Sequence, residues 1–289
     1  MPRAQSVANF KFQWRPLIAA LIAVLFLQNP LLAQQQTVRV TFEALLVKDG
    51  KPLENGVEWR IFDTHADLTG EFPMLANANG GSKVFDISPG IYMIHVAYGH
   101  AGAIRKIEIN SKSGKEIFIL NAGGLALSAV TGENVPIPES LLRFDVYEQE
   151  SDKRGKQKLI ANEIKPDEIV PFPEGTYHVV SHYGNLNAQI RADLRVKAGK
   201  VTTAQLAHRA AQIQLRLVRS TGGDALANTA WSVLNESGDL ITESTSAFPN
   251  IVLSEGNYSA IAKNDETIYS QDFVVEAGSN QDVEVLTDK

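Results

Sequence analysis

The stretch "FPEGTYHVVSHYG", Phe172 to Gly184, decides how the whole chain is read. It holds two histidines, two tyrosines and a glutamate, so it first suggests chemistry. Two other stretches have the same frame: "ISPGIYMIHVAYG", Ile87 to Gly99, and "LSEGNYSAIAKND", Leu253 to Asp265. Gly90, Gly175 and Gly256 are 85 and 81 positions apart. The glycine and the tyrosine two residues later occur in all three stretches. His178 and His182, by contrast, match Met93 and Ala97 in the first copy. What the copies share is therefore a turn followed by a strand, with glycine free to take positive φ.

Other landmarks keep the same spacing. Trp59 in "VEWRIFD" and Phe144 in "LLRFDVYE" are 85 apart, and Trp231 in "TAWSVLN" fills the slot in the third copy. A large apolar residue kept at one strand position reads as core filling. Gly114, Gly199 and Gly278 continue the register downstream, and "VRVTFEALL", "LALSAV" and "IQLRLV" open the three copies. Within each copy apolar and polar residues alternate with period two, and Gly, Pro, Asn and Asp collect between the runs. On that alternation Tyr177, Val179, Ser181 and Tyr183 share one sheet face, and His178, Val180 and His182 the other. The expected fold class is all-β: three tandem antiparallel β-sandwich domains of Greek-key type over 37–122, 123–211 and 212–289. The short joints "NAGG" and "AHRAAQ" predict stiffly abutting domains.

Ahead of the first repeat, Arg3, Lys11 and Arg15 precede the apolar run "LIAALIAVLFL", Leu17 to Leu27, and Ala33 supplies a small residue for cleavage. That order predicts a signal peptide over 1–33 and a periplasmic or extracellular protein. The run is short of the roughly 20 apolar residues that span a bilayer, and an uncleaved N-terminal anchor is the alternative. No later run approaches spanning length, so no membrane span is expected in the mature chain.

Composition excludes several function classes. The formal charge is −6, and removing residues 1–33, with three bases and no acid, makes it −9. An acidic chain argues against nucleic acid as partner. The absence of cysteine excludes thiol catalysis and Cys-ligated metals. No G-x-S-x-G, H-E-x-x-H or phosphate loop is present, so no enzyme, cofactor or metal is expected. His178 and His182, four apart on a strand, would lie about 13 Å from one another, too far to share an ion.

The element "L/I-x-P/E-G-x-Y" ahead of a strand, in repeats of this length, resembles the prealbumin-like sandwiches. These include carboxypeptidase regulatory-like domains, Cna B-type surface repeats and transthyretin-like domains. As a whole the chain resembles a group of secreted Gram-negative bacterial proteins to which no activity is attached. The resemblance implies modules acting as spacers, adhesion surfaces or accessory binding domains. It also raises the Lys–Asn/Asp amide crosslink of Cna B-type repeats, for which the opening strands offer no lysine.

The expected function is thus non-enzymatic, structural or protein-interacting, with an envelope protein or glycan as partner and a carbohydrate-binding role as the alternative. Tyr98 and Tyr183, at strand ends beside Gly99 and Gly184, are the candidate contacts for a sugar ring. Lys153, Arg154 and Lys156, in the basic hairpin "SDKRGKQK", are candidates for an anionic polymer or partner. The Gly- and Asn-rich stretch from Thr64 to Ser82 is expected to be a long loop.

Overall fold

The computed structural model describes residues 36–287. The expected signal peptide, 1–33, lies outside them. Three copies of one arrangement follow in sequence. The first holds β1 (Val38–Leu45), β2 (Val57–Asp63), β3 (Met74–Gly80), β4 (Lys83–Ile87), β5 (Gly90–Tyr98), β6 (Ala101–Ile109) and β7 (Lys115–Ile119). The second holds β8 (Ala122–Thr131), the two-residue β9 (Val135–Pro136), β10 (Leu142–Ser151), β11 (Gln157–Ile164), β12 (Val170–Pro173), β13 (Gly175–Tyr183), β14 (Gln189–Val196) and β15 (Val201–His208). The third holds β16 (Ala210–Val218), β17 (Thr229–Asn235), β18 (Leu240–Ser244), β19 (Asn250–Ser254), β20 (Gly256–Asn264), β21 (Thr267–Val275) and β22 (Gln281–Leu286).

Each copy pairs a smaller sheet of three main strands, to which the short β9 adds in the second copy, with a four-stranded one. The first has orders β4-β1-β7 and β3-β2-β5-β6; the second has β12-β8-β15 and β11-β10-β13-β14; the third has β19-β16-β22 and β18-β17-β20-β21. The chain is therefore all-β and built of tandem β-sandwiches. Pairing is antiparallel except in one place per copy, where the first strand lies parallel to the last: β1 with β7, β8 with β15, β16 with β22. A parallel pair needs a long crossover, and the intervening strands, five in the first and third copies and six in the second, supply it. The consequence is topological. Entry and exit lie at opposite ends of each sandwich, which suits a tandem array.

The period of two makes each core. In the first, Val40, Phe42, Trp59, Ile61, Ile94 and Val96 are fully covered, and the Trp59 ring meets Phe118 edge-on at 5.4 Å. Phe144 and Trp231 take the Trp59 place in the other two cores. The Thr64–Ser82 stretch is not one long loop, because Met74–Gly80 forms the edge strand β3 beside β2. Asn and Gly have low strand propensity, but pairing with the buried β2 overrides it, and Ala76 and Ala78 turn to the core side.

Candidate functional site

The repeated Gly-x-Tyr element is architectural. The hydroxyls of Tyr92, Tyr177 and Tyr258 donate to the carbonyls of Ser88, Pro173 and Ser254, four residues back, at 2.8, 2.8 and 2.9 Å. Each ring thereby pins the turn that precedes its strand. Positive φ, expected at the shared glycine, is found only at Gly256 (152°). At Gly90 the requirement is space, since a Cβ there would sit 3.2 Å from the Tyr92 hydroxyl.

Of the sequence candidates, Tyr183 is corrected. It is 1 % exposed and belongs to the second core, so its ring has no face for a ligand. Counting by twos from Tyr177 already puts it on the inward face, and the turn after β13 closes over it through Tyr183 N–H to the Ala188 carbonyl at 2.9 Å. Tyr98 is half-buried and packs against the first core, its ring beside Gly56. Lys153, Arg154 and Lys156 are exposed at the β10–β11 tip. The Asp152 carboxylate accepts the N–H groups of Arg154 and Lys156 at 2.8 and 2.9 Å, which fixes the turn and leaves the cationic side chains outward.

Cross-strand partners give the second sandwich an outer face that the sequence does not show. His178 Nδ1 lies 2.9 Å from Asp193 Oδ1 on β14, and His182 Nε2 lies 3.1 Å from Asp145 Oδ2 on β10. Tyr147 stands on the same face, its phenol held above the ordinary value by burial and by Asp145. Each histidine has a single carboxylate, and among the described residues no group of three His, Asp or Glu is placed to hold a metal ion. This face is a hydrogen-bonding surface. Its only signal in the sequence is the alternation that puts His178 and His182 outward.

The outer face of the first sandwich is different in kind. Phe62, Phe72, Met93 and Ile104, with Glu71 and His95, line an open depression of about 500 Å³. Burial lowers the His95 pKa, helped by the neighbouring Arg60 cation and opposed by Glu58.

Joints between sandwiches repeat one device, in which the β5–β6 hairpin lies on β12 and the β13–β14 hairpin on β19 of the next copy. At the first joint His100 N–H donates to the Pro171 carbonyl at 2.9 Å, and its ring stacks on Phe172 at 4.9 Å. At the second, Asn187 Nδ2 donates to the Tyr258 hydroxyl at 2.8 Å, and Val252 enters the core of the second sandwich. The second joint also buries a polar cluster. His208 Nε2 lies 2.8 Å from the Ser181 hydroxyl, and Thr131 Oγ1 donates to the Ala210 carbonyl at 2.6 Å. Burial, reinforced by His182, pushes the His208 pKa down to about 4. A serine beside a histidine suggests a nucleophile, but Ser181 is fully covered and has no access to substrate.

Solved structures with detectable likeness include the Bacillus anthracis TIE protein, at 14% identity and a TM-score of 0.23, covering 87% of this chain and 51% of that one. The chain thus spans about half the length of that protein. A streptococcal ancillary pilin overlaps at 11% identity and a TM-score of 0.32, covering 86% of this chain and 98% of the other. BcpA, the major pilin subunit of Bacillus cereus, overlaps at 10% identity and a TM-score of 0.24, covering 87% of this chain and all of the other. No curated protein matches the sequence. Residues 212–287, which hold β16 to β22, match the Rhizobiales growth-associated tandem repeat domain.

Proposed function

We propose that the chain is a non-enzymatic scaffold of the bacterial cell envelope, in which three β-sandwich modules over 37–122, 123–211 and 212–289 present their outer faces and loop tips to an envelope component. The observation that carries this reading is the repeated joint. Gly99 abuts Pro171 and Gly184 abuts Val252, so successive modules are locked by the same hairpin-on-strand contact. A locked array holds separate surfaces at fixed spacing, which is what a spacer or adhesion protein needs. The prealbumin-like element, the basic and apolar N-terminal segment and the match to a growth-associated tandem repeat support export by a Gram-negative host and a place in the periplasm or outside the cell.

The contacts proposed for a partner are the cationic tip of Lys153, Arg154 and Lys156 and the exposed edge of Tyr98. A glycan-binding role is the weaker form of this reading, because Tyr183 is enclosed and Tyr98 shows only part of its ring. The test is cell fractionation followed by capture with the full chain from envelope extracts. The chain is expected in the exported fraction, with a saturable partner whose capture falls when Lys153, Arg154 and Lys156 are all changed to Glu. A cytoplasmic location, or capture indifferent to those changes and to Tyr98→Ala, would sink it.

A further inference from the structure

The sheet edges differ in charge. Five of the six edges of the four-stranded sheets carry charged side chains: Arg105, Lys106 and Glu108 on β6, Lys158 and Glu163 on β11, Arg191, Asp193 and Arg195 on β14, Glu243 on β18, Asp272 on β21. In the smaller sheets β4, β7 and β22 are charged, while β12, β15 and β19 have no Lys, Arg, Asp or Glu. Two of those three neutral edges, β12 and β19, are occupied by the neighbouring module. The hairpin of the preceding module lies on β12 through His100 and on β19 through Asn187, while β15 meets β14 of its own module through Thr202 Oγ1 and the Arg195 carbonyl at 3.1 Å, as the charged β22 meets β21 through Gln281 Nε2 and the Val274 carbonyl at 2.6 Å. Charge on an open edge prevents unwanted strand pairing, and a covered edge does not need it.

β3 breaks the rule. "MLANANG" has no charge and no proline, and among the described residues its outer backbone groups have no partner. Met74 and Leu75, each 53 % exposed, and Phe72, 46 % exposed, stand at its start beside the apolar depression over Phe62, Met93 and Ile104. A neutral, open edge next to a cluster of exposed apolar side chains is a pairing surface.

We propose that β3 pairs antiparallel with β3 of a second copy, joining two four-stranded sheets about a twofold axis near Asn77. Centred there, Ala76 faces Ala78, Asn77 faces Asn77, and Met74 falls opposite Gly80, which has no side chain to obstruct it. Residues facing across an antiparallel pair point to the same side, so the core-side alanines stay on the core side of both sheets. The net charge of −6 makes two copies repel, and a neutral strand is where that repulsion is least. No charged group on β3 selects a charged partner, whereas the strand is its own complement. This association stands independently of the envelope partner, and its failure would leave that reading untouched.

The test is sedimentation equilibrium of the full chain and its Asn77→Lys and Asn77→Glu variants. The native chain is expected to reach twice its monomer mass in a concentration-dependent way. Either variant, with like charges meeting at the axis, should weaken self-association by about tenfold or more. A mixture of the two should pair again, as heterodimers, and unchanged thermal melting of each would show that the fold is intact. A native chain that stays monomeric, variants that dimerise as well as the native chain, or a mixture no better than its components would each overturn the proposal, as would capture of a different extended segment on β3 in place of the second copy.

Discussion

Asn187 joins the second module to the third by donating to the Tyr258 hydroxyl at 2.8 Å. The same side chain accepts the Ser254 N–H at 3.1 Å, and Tyr258 in turn donates to the Ser254 carbonyl at 2.9 Å. One amide therefore ties the hairpin of one module to the tyrosine that pins the turn of the next. Asn187→Ala removes a donor and an acceptor that are half-buried, and should cost about 1–2 kcal/mol. The loss falls on the joint, so scanning calorimetry should show the third module melting apart from the second. A single unshifted transition would contradict the coupling.

The shared Trp slot makes a second prediction. Trp59 Nε1–H donates to the Gly81 carbonyl at 2.9 Å, while the buried Trp231 Nε1–H has no partner. Phe already fills this slot at Phe144. Trp59→Phe loses volume and strands a carbonyl, whereas Trp231→Phe loses the same volume but removes an unsatisfied donor. The first change should therefore destabilise more than the second, by about 1–3 kcal/mol in urea unfolding. Equal effects would show that the Gly81 bond contributes nothing.

These examples show which features were legible in the sequence. Trp59, Phe144 and Trp231 were readable as core because one position kept a large apolar side chain through three repeats. The Gly-x-Tyr element was readable for the same reason. Partners from other strands were not: Asp145 and Asp193 reach His182 and His178 only once the sheet order is known. At Tyr183 the alternation that points the ring inward is legible and outweighs the strand-end position that suggests exposure, while the turn that closes over it through the Ala188 carbonyl is not. His208 stands in a joint segment, and its burial depends on the third module packing against the second. The strand β3 hid in a Gly/Asn-rich stretch because its propensity is poor and its pairing is tertiary.

The same joint should be sensitive to a single methyl group. Gly184 has φ +69°, and a Cβ there would come within 2.8 Å of the Val252 Cβ. Gly155, at the basic hairpin tip, has φ +77° with nothing within 4 Å. Gly155→Ala thus pays only for left-handed backbone, about 1 kcal/mol. Gly184→Ala carries that cost and must also displace the next module, so it should lose distinctly more, roughly 2–4 kcal/mol, with the excess read as weakened coupling in calorimetry. Matching losses at the two sites would mean that the contact with Val252 is not tight.

His208 sets a pH dependence on the second joint. The residue is 3 % exposed, its ring bonded to Ser181 and edge-on to Tyr183 at 5.9 Å, so a charge there is poorly solvated. Burial first, then the nearby His182, which itself faces Asp145, depress its pKa from 6.5 to about 4. Between those values the unfolded chain binds the proton and the folded chain does not. Stability from this group is therefore complete above about pH 6.5, declines as pH falls, and levels off near pH 4. The full shift corresponds to about 3 kcal/mol, and roughly 2 is the better expectation, because the ring borders an open depression lined by Ala188, Gln189, Arg209 and Glu255. Arg209 pairs with Glu255 there at 2.6 Å, so the pair adds little net charge beside the ring. Urea midpoints measured from pH 7 to pH 4 should fall for the native chain and fall less, by that amount, for His208→Gln, which keeps a hydrogen-bonding group but does not titrate. Parallel curves for the two proteins would remove His208 as the source.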